Sequence, residues 1–225
     1  MSRFGITAHS HTAASADSVA DLWQQYAQGK VLRRARTARD PRGEPQALHE
    51  LGATYLAADR LETAGPPLEQ GRTLRQSLAT QATDPHDQRT YIRAVALSDV
   101  ALGQVAIGLG DTAAAAARLA TARATLTALK DGLDAARALA WLARAHAVSG
   151  DYAAAEHEGR AAVEECRQAG SPRWVARGLE LLGHTLREGG QGERARTAFE
   201  ESLQIYTAIS PRDADRVRRQ LPTAS

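Results

Sequence analysis

The sequence predicts an all-α solenoid, a row of antiparallel helix pairs stacked side by side. Three observations predict it. Apolar residues recur at helical spacing, as in Leu48, Leu51, Gly52 and Tyr55 at i, i+3, i+4 and i+7. Landmarks return at a fixed interval: Gly110, Gly150 and Gly190 stand 40 residues apart, and so do Gly103, Ala143 and Gly183, each following a leucine. A period of roughly 20 to 50 residues marks a repeat array. β-branched runs, which strands would need, are nearly absent.

The composition agrees with closely packed helices. Of the 225 residues 43% are apolar but only 4% aromatic, so the core must be built mainly of Ala and Leu, the strongest helix formers. With 28 basic and 26 acidic residues the net charge is +2. So balanced a surface gives no reason to expect direct nucleic-acid binding. Basic residues are Arg except for Lys30 and Lys130, and Asn is absent, a composition that points to a GC-rich, bacterial genome. Cys166 is the only cysteine, so it can form no internal disulfide, and it reads as a small apolar helix residue. No stretch holds the roughly 18 consecutive apolar residues of a membrane span, and the N-terminus lacks a signal-peptide core. A cytoplasmic protein without membrane association is expected.

Along the chain, residues 1–14 read as a flexible arm in which His9 and His11 are solvated. A single repeat domain is expected over 15–221. Asp17 can cap a helix over 17–37 that carries Leu22, Trp23, Tyr26, Val31 and Leu32 and ends in Arg33, Arg34, Arg36 and Arg39. Asp40-Pro41-Arg42-Gly43 breaks it. The first helix pair covers about 41–80, with a corner near Ala58 to Leu61. Pro66-Pro67 predict that its second helix starts late or kinks. Gly52 and Gly103 are separated by 51 residues rather than 40. The extra eleven are expected in an exposed loop, Gln81 to Gln88, where insertion costs least. Further pairs cover about 89–130, 131–170 and 171–209, and a flanking helix follows over 211–221.

The pattern Leu48-x-x-Leu51-Gly52-x-x-Tyr55 with Ala64 and Leu68, and Leu179-x-x-Leu182-Gly183-x-x-Leu186 with Ala195 and Phe199, resembles the tetratricopeptide repeat (TPR) family. The middle units keep it as Leu102-Gly103-x-x-Ala106 and Leu142-Ala143-x-x-His146. The motif covers about Glu44 to Tyr206. The 40-residue unit is longer than the family's common form and resembles the arrays of bacterial, including actinobacterial, regulators. The resemblance implies a right-handed superhelix of helix pairs. It also implies a non-enzymatic module that binds a protein or peptide, as the sensor or scaffold part of a bacterial transcriptional-regulatory or signalling system. A self-associating scaffold, dimerising through its open ends, is the alternative.

No Gly-rich loop carries the Lys of a phosphate-binding motif, and no spacing of Ser, His, Cys, Asp or Glu suggests a catalytic or metal site; no cofactor is expected. The resemblance places function on the face of each first helix that the core leaves free, which lines a concave groove. By register that face carries Gln46, His49, Ala53 and Leu56, then Leu97, Val100, Gln104 and Ile107. It continues with Arg137, Ala140, Arg144 and Val148, then Arg177, Glu180, His184 and Arg187. Spacings of three and four keep each set on one side of its helix. The groove should be apolar in its N-terminal half and basic in its C-terminal half. The expected partner is a segment with an apolar anchor and acidic groups, held by bidentate arginines. In the bland alternative these arginines are solvated or pair with neighbouring Glu. Within the family one subgroup grips peptide carboxylates with Asn and Lys, and the absence of Asn argues against that partner.

Overall fold

The computed structural model describes residues 29–221. Residues 1–28, which include the expected arm and most of the expected first helix, lie outside the described residues. The described part of α1 runs over residues 29–37. It is followed by α2 (Gly43–Ala57), α3 (Leu61–Gln81), α4 (Pro85–Gly108), α5 (Thr112–Ala128), α6 (Gly132–Val148), α7 (Tyr152–Gln168), α8 (Pro172–Glu188), α9 (Gly192–Ile209) and α10 (Pro211–Arg218). No strand occurs among the described residues.

Each helix packs on the next in sequence. The first helices of the pairs also touch one another, α2 on α4, α4 on α6 and α6 on α8, and no comparable contact links α3, α5, α7 and α9. The array is therefore tighter on the α2–α4–α6–α8 side, which makes that side the inner, concave one. α10 closes the far end, burying Ala214 and Val217 against α9.

The turns repeat their chemistry. Asp111, Asp131 and Asp151 each accept a bond at their helix N-terminus from the amide three residues on (3.1, 3.3 and 3.1 Å), satisfying a donor the helix cannot. The corners within pairs are made by Gly110, Gly150 and Gly190 in the left-handed region (φ 82°, 90° and 76°), where glycine is unstrained. In the first pair Asp59 takes that conformation (φ 56°).

Packing explains the small residues. A Cβ on Gly52 would fall 2.4 Å from Leu68, one on Gly103 2.6 Å from Leu119, and one on Gly183 2.8 Å from the Phe199 ring. In every pair the small inner-helix residue thus faces a residue sixteen positions on. The third pair inverts the arrangement: Ala143 faces Gly159, and the space is filled from the next pair by Leu182, 3.2 Å from where a Gly159 Cβ would lie. The second-helix alanines Ala64, Ala115, Ala155 and Ala195 are all buried.

Two expectations need correction. The eleven extra residues are not a loop: only residues 82–84 separate α3 from α4, and Asp84 caps α4 through the His86 and Asp87 amides. α3 has 21 residues where α5 and α7 have 17, and α4 has 24 where α6 and α8 have 17. The four and seven added residues account for the eleven. These are close to one and two whole turns at about 3.6 residues per turn, so each helix lengthens without rotating its apolar stripe. Nor does Pro66-Pro67 delay or interrupt α3. Proline deprives the carbonyls four residues back, here Glu62 and Thr63, of their partners; both residues are exposed, so water can replace the lost bonds.

By length and mean hydropathy (1.2) α4 could cross a membrane. In the structure it packs against α2, α3, α5 and α6, and its buried Asp99 is ion-paired to Arg72 (2.6 Å) and Arg118 (3.2 Å).

Candidate functional site

The inner helices carry the residues the register selected, but their charges are spoken for. In the C-terminal half, Arg137 donates to Asp134 of its own helix. Arg144 reaches across to Glu188 on α8 (2.5 Å), and Arg177 donates to Glu180 (2.7 Å). Glu180 is not a groove ligand: it is 2% exposed and also holds both Nε and Nη2 of Arg216 on α10 at 2.8 Å. Burial alone would raise its carboxyl, and the Arg216 and Arg177 guanidiniums outweigh that, holding it below the ordinary carboxylate range.

Arg187 differs. It is exposed and has no carboxylate partner among the described residues; its guanidinium lies 5.4 Å over the Phe199 ring and meets His184 Nδ1 at 3.0 Å. His184 stands edge-on to the same ring at 5.1 Å. Burial, then Arg187 and Arg144, lower its pKa, so it stays neutral at pH 7. The structure therefore brings Arg144, His184 and Arg187 together at the C-terminal end of the groove. It assigns Glu180 and Arg177 to the junction with α10.

Two aromatic residues that the register reading passed over complete this half. Arg137 lies 4.1 Å over Trp174 of α8, and Arg177 lies 5.2 Å over Trp141 of α6. Repeat-equivalent arginines are thus crossed with tryptophans of each other's helices, a favourable arrangement for a cation and an aromatic face. Helical spacing could have found both: Trp141 lies four residues after Arg137 and Trp174 three before Arg177.

In the N-terminal half, Val100 is buried in the core and Gln104 bonds weakly back to its own helix at Val100 O (3.4 Å). His49 is half-buried beside Arg75 and Arg137, and its pKa falls to about 4, through burial first and the two guanidiniums next. The folded chain therefore disfavours protonated His49, whereas the unfolded chain takes the proton near pH 6.5. The stability His49 contributes is complete above pH 6.5 and is lost as the pH falls toward 4. Wild type should lose on the order of 3 kcal/mol more than His49→Val across that window; urea melts at matched pH values would measure it, and parallel curves would contradict it.

Among the described residues three buried side-chain polar atoms have no hydrogen-bond partner: His49 Nδ1, Arg137 Nε and Trp141 Nε1. All three belong to inner helices, α2 and α6, on the concave side. Buried polar atoms without partners are uncommon. No group of three or more potential metal-ligating His, Cys, Asp or Glu occurs among the described residues.

No protein-family model matches the sequence, and no curated protein matches it. Solved structures do. The chain is similar to BtubC (BKLC) from P. vanneervenii, with a TM-score of 0.62 and 17% identity over 88% of this chain and 80% of that one. It is similar to a putative kinesin light chain from Podosopora anserina with nearly identical TPR-like repeats, with a TM-score of 0.57 and 16% identity over 87% and 91%. It is also similar to PlcR from Bacillus thuringiensis, solved with the peptide PapR7 and DNA, with a TM-score of 0.66 and 13% identity over 92% and 72%. The fold is thus a TPR-like α-solenoid, as the repeat pattern predicted.

Proposed function

We propose that this chain is a non-enzymatic module that holds a peptide or protein segment in its concave groove, as the sensor or scaffold part of a bacterial transcriptional-regulatory or signalling system. The observation that carries the reading is Arg187, exposed on inner helix α8 beside the half-buried His184 and with no carboxylate partner among the described residues. Arg187, exposed and without a carboxylate, supplies the acid-binding end. The likeness in fold to PlcR, which was solved with a peptide, supports the same class of partner. Residues committed to Asp134, Glu188 and Glu180 make the groove less basic than its sequence, so the partner needs one acidic group near α8 rather than several.

A peptide array probed with wild type and with Arg187→Glu tests this. Peptides with an acidic residue beside apolar ones should bind wild type and lose about tenfold in the variant, the value of one charge-assisted bond. Equal binding by both would remove the acid-binding role of Arg187, and an array that stays blank with wild type would overturn the peptide-binding reading itself.

A further inference from the structure

The junction of α2, α3 and α4 departs from the pattern that the chain itself sets. Arg75 on α3 occupies the position held by Leu126, Cys166 and Tyr206 in the other second helices, all of them buried. Arg75 is buried as well, with 5% exposure. Ser98 on α4 stands where α6 and α8 have Ala138 and Gly178. The extra turns of α4, which begin before the start of α6 in register, bring Asp87, Thr90 and Tyr91 to the same place. Together with Arg42, Pro45, Gln46 and Ala94 these residues surround a half-open cavity of about 290 Å³ that Arg75 lines.

The Arg75 guanidinium is held by neutral acceptors only. Its Nη1 donates to Ala94 O (3.2 Å) and to Ser98 Oγ (2.8 Å), and its Nη2 donates to Gln46 Oε1 (2.9 Å). No carboxylate pairs with it among the described residues. Glu50, whose charge acts on Arg75, is bonded to the Gln46 amide instead (2.5 Å), one side chain removed from the guanidinium. A guanidinium has five N–H donors. Three are used, which leaves Nε–H and one Nη2–H, a number that matches the two oxygens of a carboxylate. The cavity rim carries Arg42, paired with Asp87 at 2.6 Å, so the lining as a whole is cationic by one charge. Its remaining walls, Pro45, Ala94 and the Tyr91 ring, are apolar and suited to a short hydrocarbon. A buried, unneutralised cation is costly to keep, and an anion in the cavity would offset that cost.

We propose that this cavity is a binding site for a small aliphatic carboxylate, with Arg75 as its anion-binding group and the Pro45, Tyr91 and Ala94 wall contacting the hydrocarbon. The site lies at the α2 end of the same inner face, sharing Gln46 with it, and away from Arg187 on α8. Among the described residues it occurs only at the α3–α4 junction, because only there are the helices longer and an arginine placed in the second-helix core.

The test uses the full chain with acetate, butyrate and glutarate as probes, at ionic strength held constant with chloride. Saturable thermal stabilisation by butyrate or glutarate is expected, with none from glutaramide, and one arginine Nε–H resonance should shift on titration. Arg75→Leu, which installs the residue of the α5 position, should abolish both responses while retaining the helical circular dichroism spectrum. Ala94→Leu fills the cavity while keeping the residue 94 carbonyl that accepts from Arg75, and should weaken binding by about tenfold or more through exclusion of the ligand. It provides the same test if Arg75→Leu does not fold. No response in wild type, an equal response in Ala94→Leu, or equal stabilisation by sulfate would overturn the assignment.

Discussion

Replacing Glu180 with alanine is expected to destabilise the chain by about 3 kcal/mol, by removing one partner of a buried ion-paired cluster. The carboxylate is 2% exposed and joins Arg177 of its own helix to Arg216 of α10. Deleting it leaves two guanidiniums, 28% and 38% exposed, that can partly recover water, so the loss falls at the low end of the range for breaking such pairs. The cluster fastens the terminal helix, so the melt should also broaden, with α10 releasing before the rest. Glu180→Gln keeps the shape and loses the charge, and should fall between wild type and alanine. Because the folded pKa lies below the ordinary value of 4.5, the stability from this carboxylate is present above that value and disappears as the pH drops through the lower folded value. Denaturant melts of the three proteins at neutral and acid pH decide the matter: an alanine variant as stable as wild type would show that α10 does not depend on the cluster.

Phe199→Ala should be the more damaging change, at about 3–5 kcal/mol for an aromatic truncated in a packed core. The ring is 2% exposed and fills the space that Gly183 leaves open; His184 and Arg187 lie against it as well. The same geometry predicts a specific rescue. A Cβ at position 183 falls 2.8–2.9 Å from the ring in wild type, so Gly183→Ala alone should destabilise. In the Phe199→Ala background it should cost less or even help, since the methyl then enters the vacated space. A double-mutant cycle read by thermal unfolding measures this coupling, and additivity would show that the two residues are not packed as described. Loss of the ring should also disturb His184 and Arg187, so groove binding would weaken together with stability.

Most of the architecture was legible because it repeats. Gly110, Gly150 and Gly190 must fall at like turns, and Ala64, Ala115, Ala155 and Ala195 must meet like neighbours, so spacing alone carries the helix pairs. The eleven added residues were misplaced because Gln81 to Gln88, polar and containing Asp84-Pro85, has the composition of a loop. Aspartate before proline is also how a helix begins, and whole-turn lengths preserve the apolar stripe, so polarity could not separate the two. The groove was less legible. Helical spacing selected residues of the inner helices, but Val100 and Glu180 among them are buried, and whether Arg144 is free or bound to Glu188 depends on a residue 44 positions away. Glu180 looked like a surface acid because its second partner, Arg216, sits on a helix with no counterpart in the repeat. The oddity of Arg75 was visible in principle, by setting it beside Leu126, Cys166 and Tyr206, but only the folded chain shows the cavity next to it.

The inverted contact in the third pair has a consequence for modularity. Ala143 and Gly159 leave a hollow that their own pair cannot fill, and Leu182 reaches back from the fourth pair to occupy it. The repeats are therefore not interchangeable bricks. A chain shortened after residue 170 would end on a pair with a hole in its interior, whereas one shortened after Lys130 would end on a pair that supplies its own Leu119. Both cuts expose core, since α6 packs on α4 and α5, but graft or deletion experiments should find that only the third boundary also leaves an unfilled interior hollow.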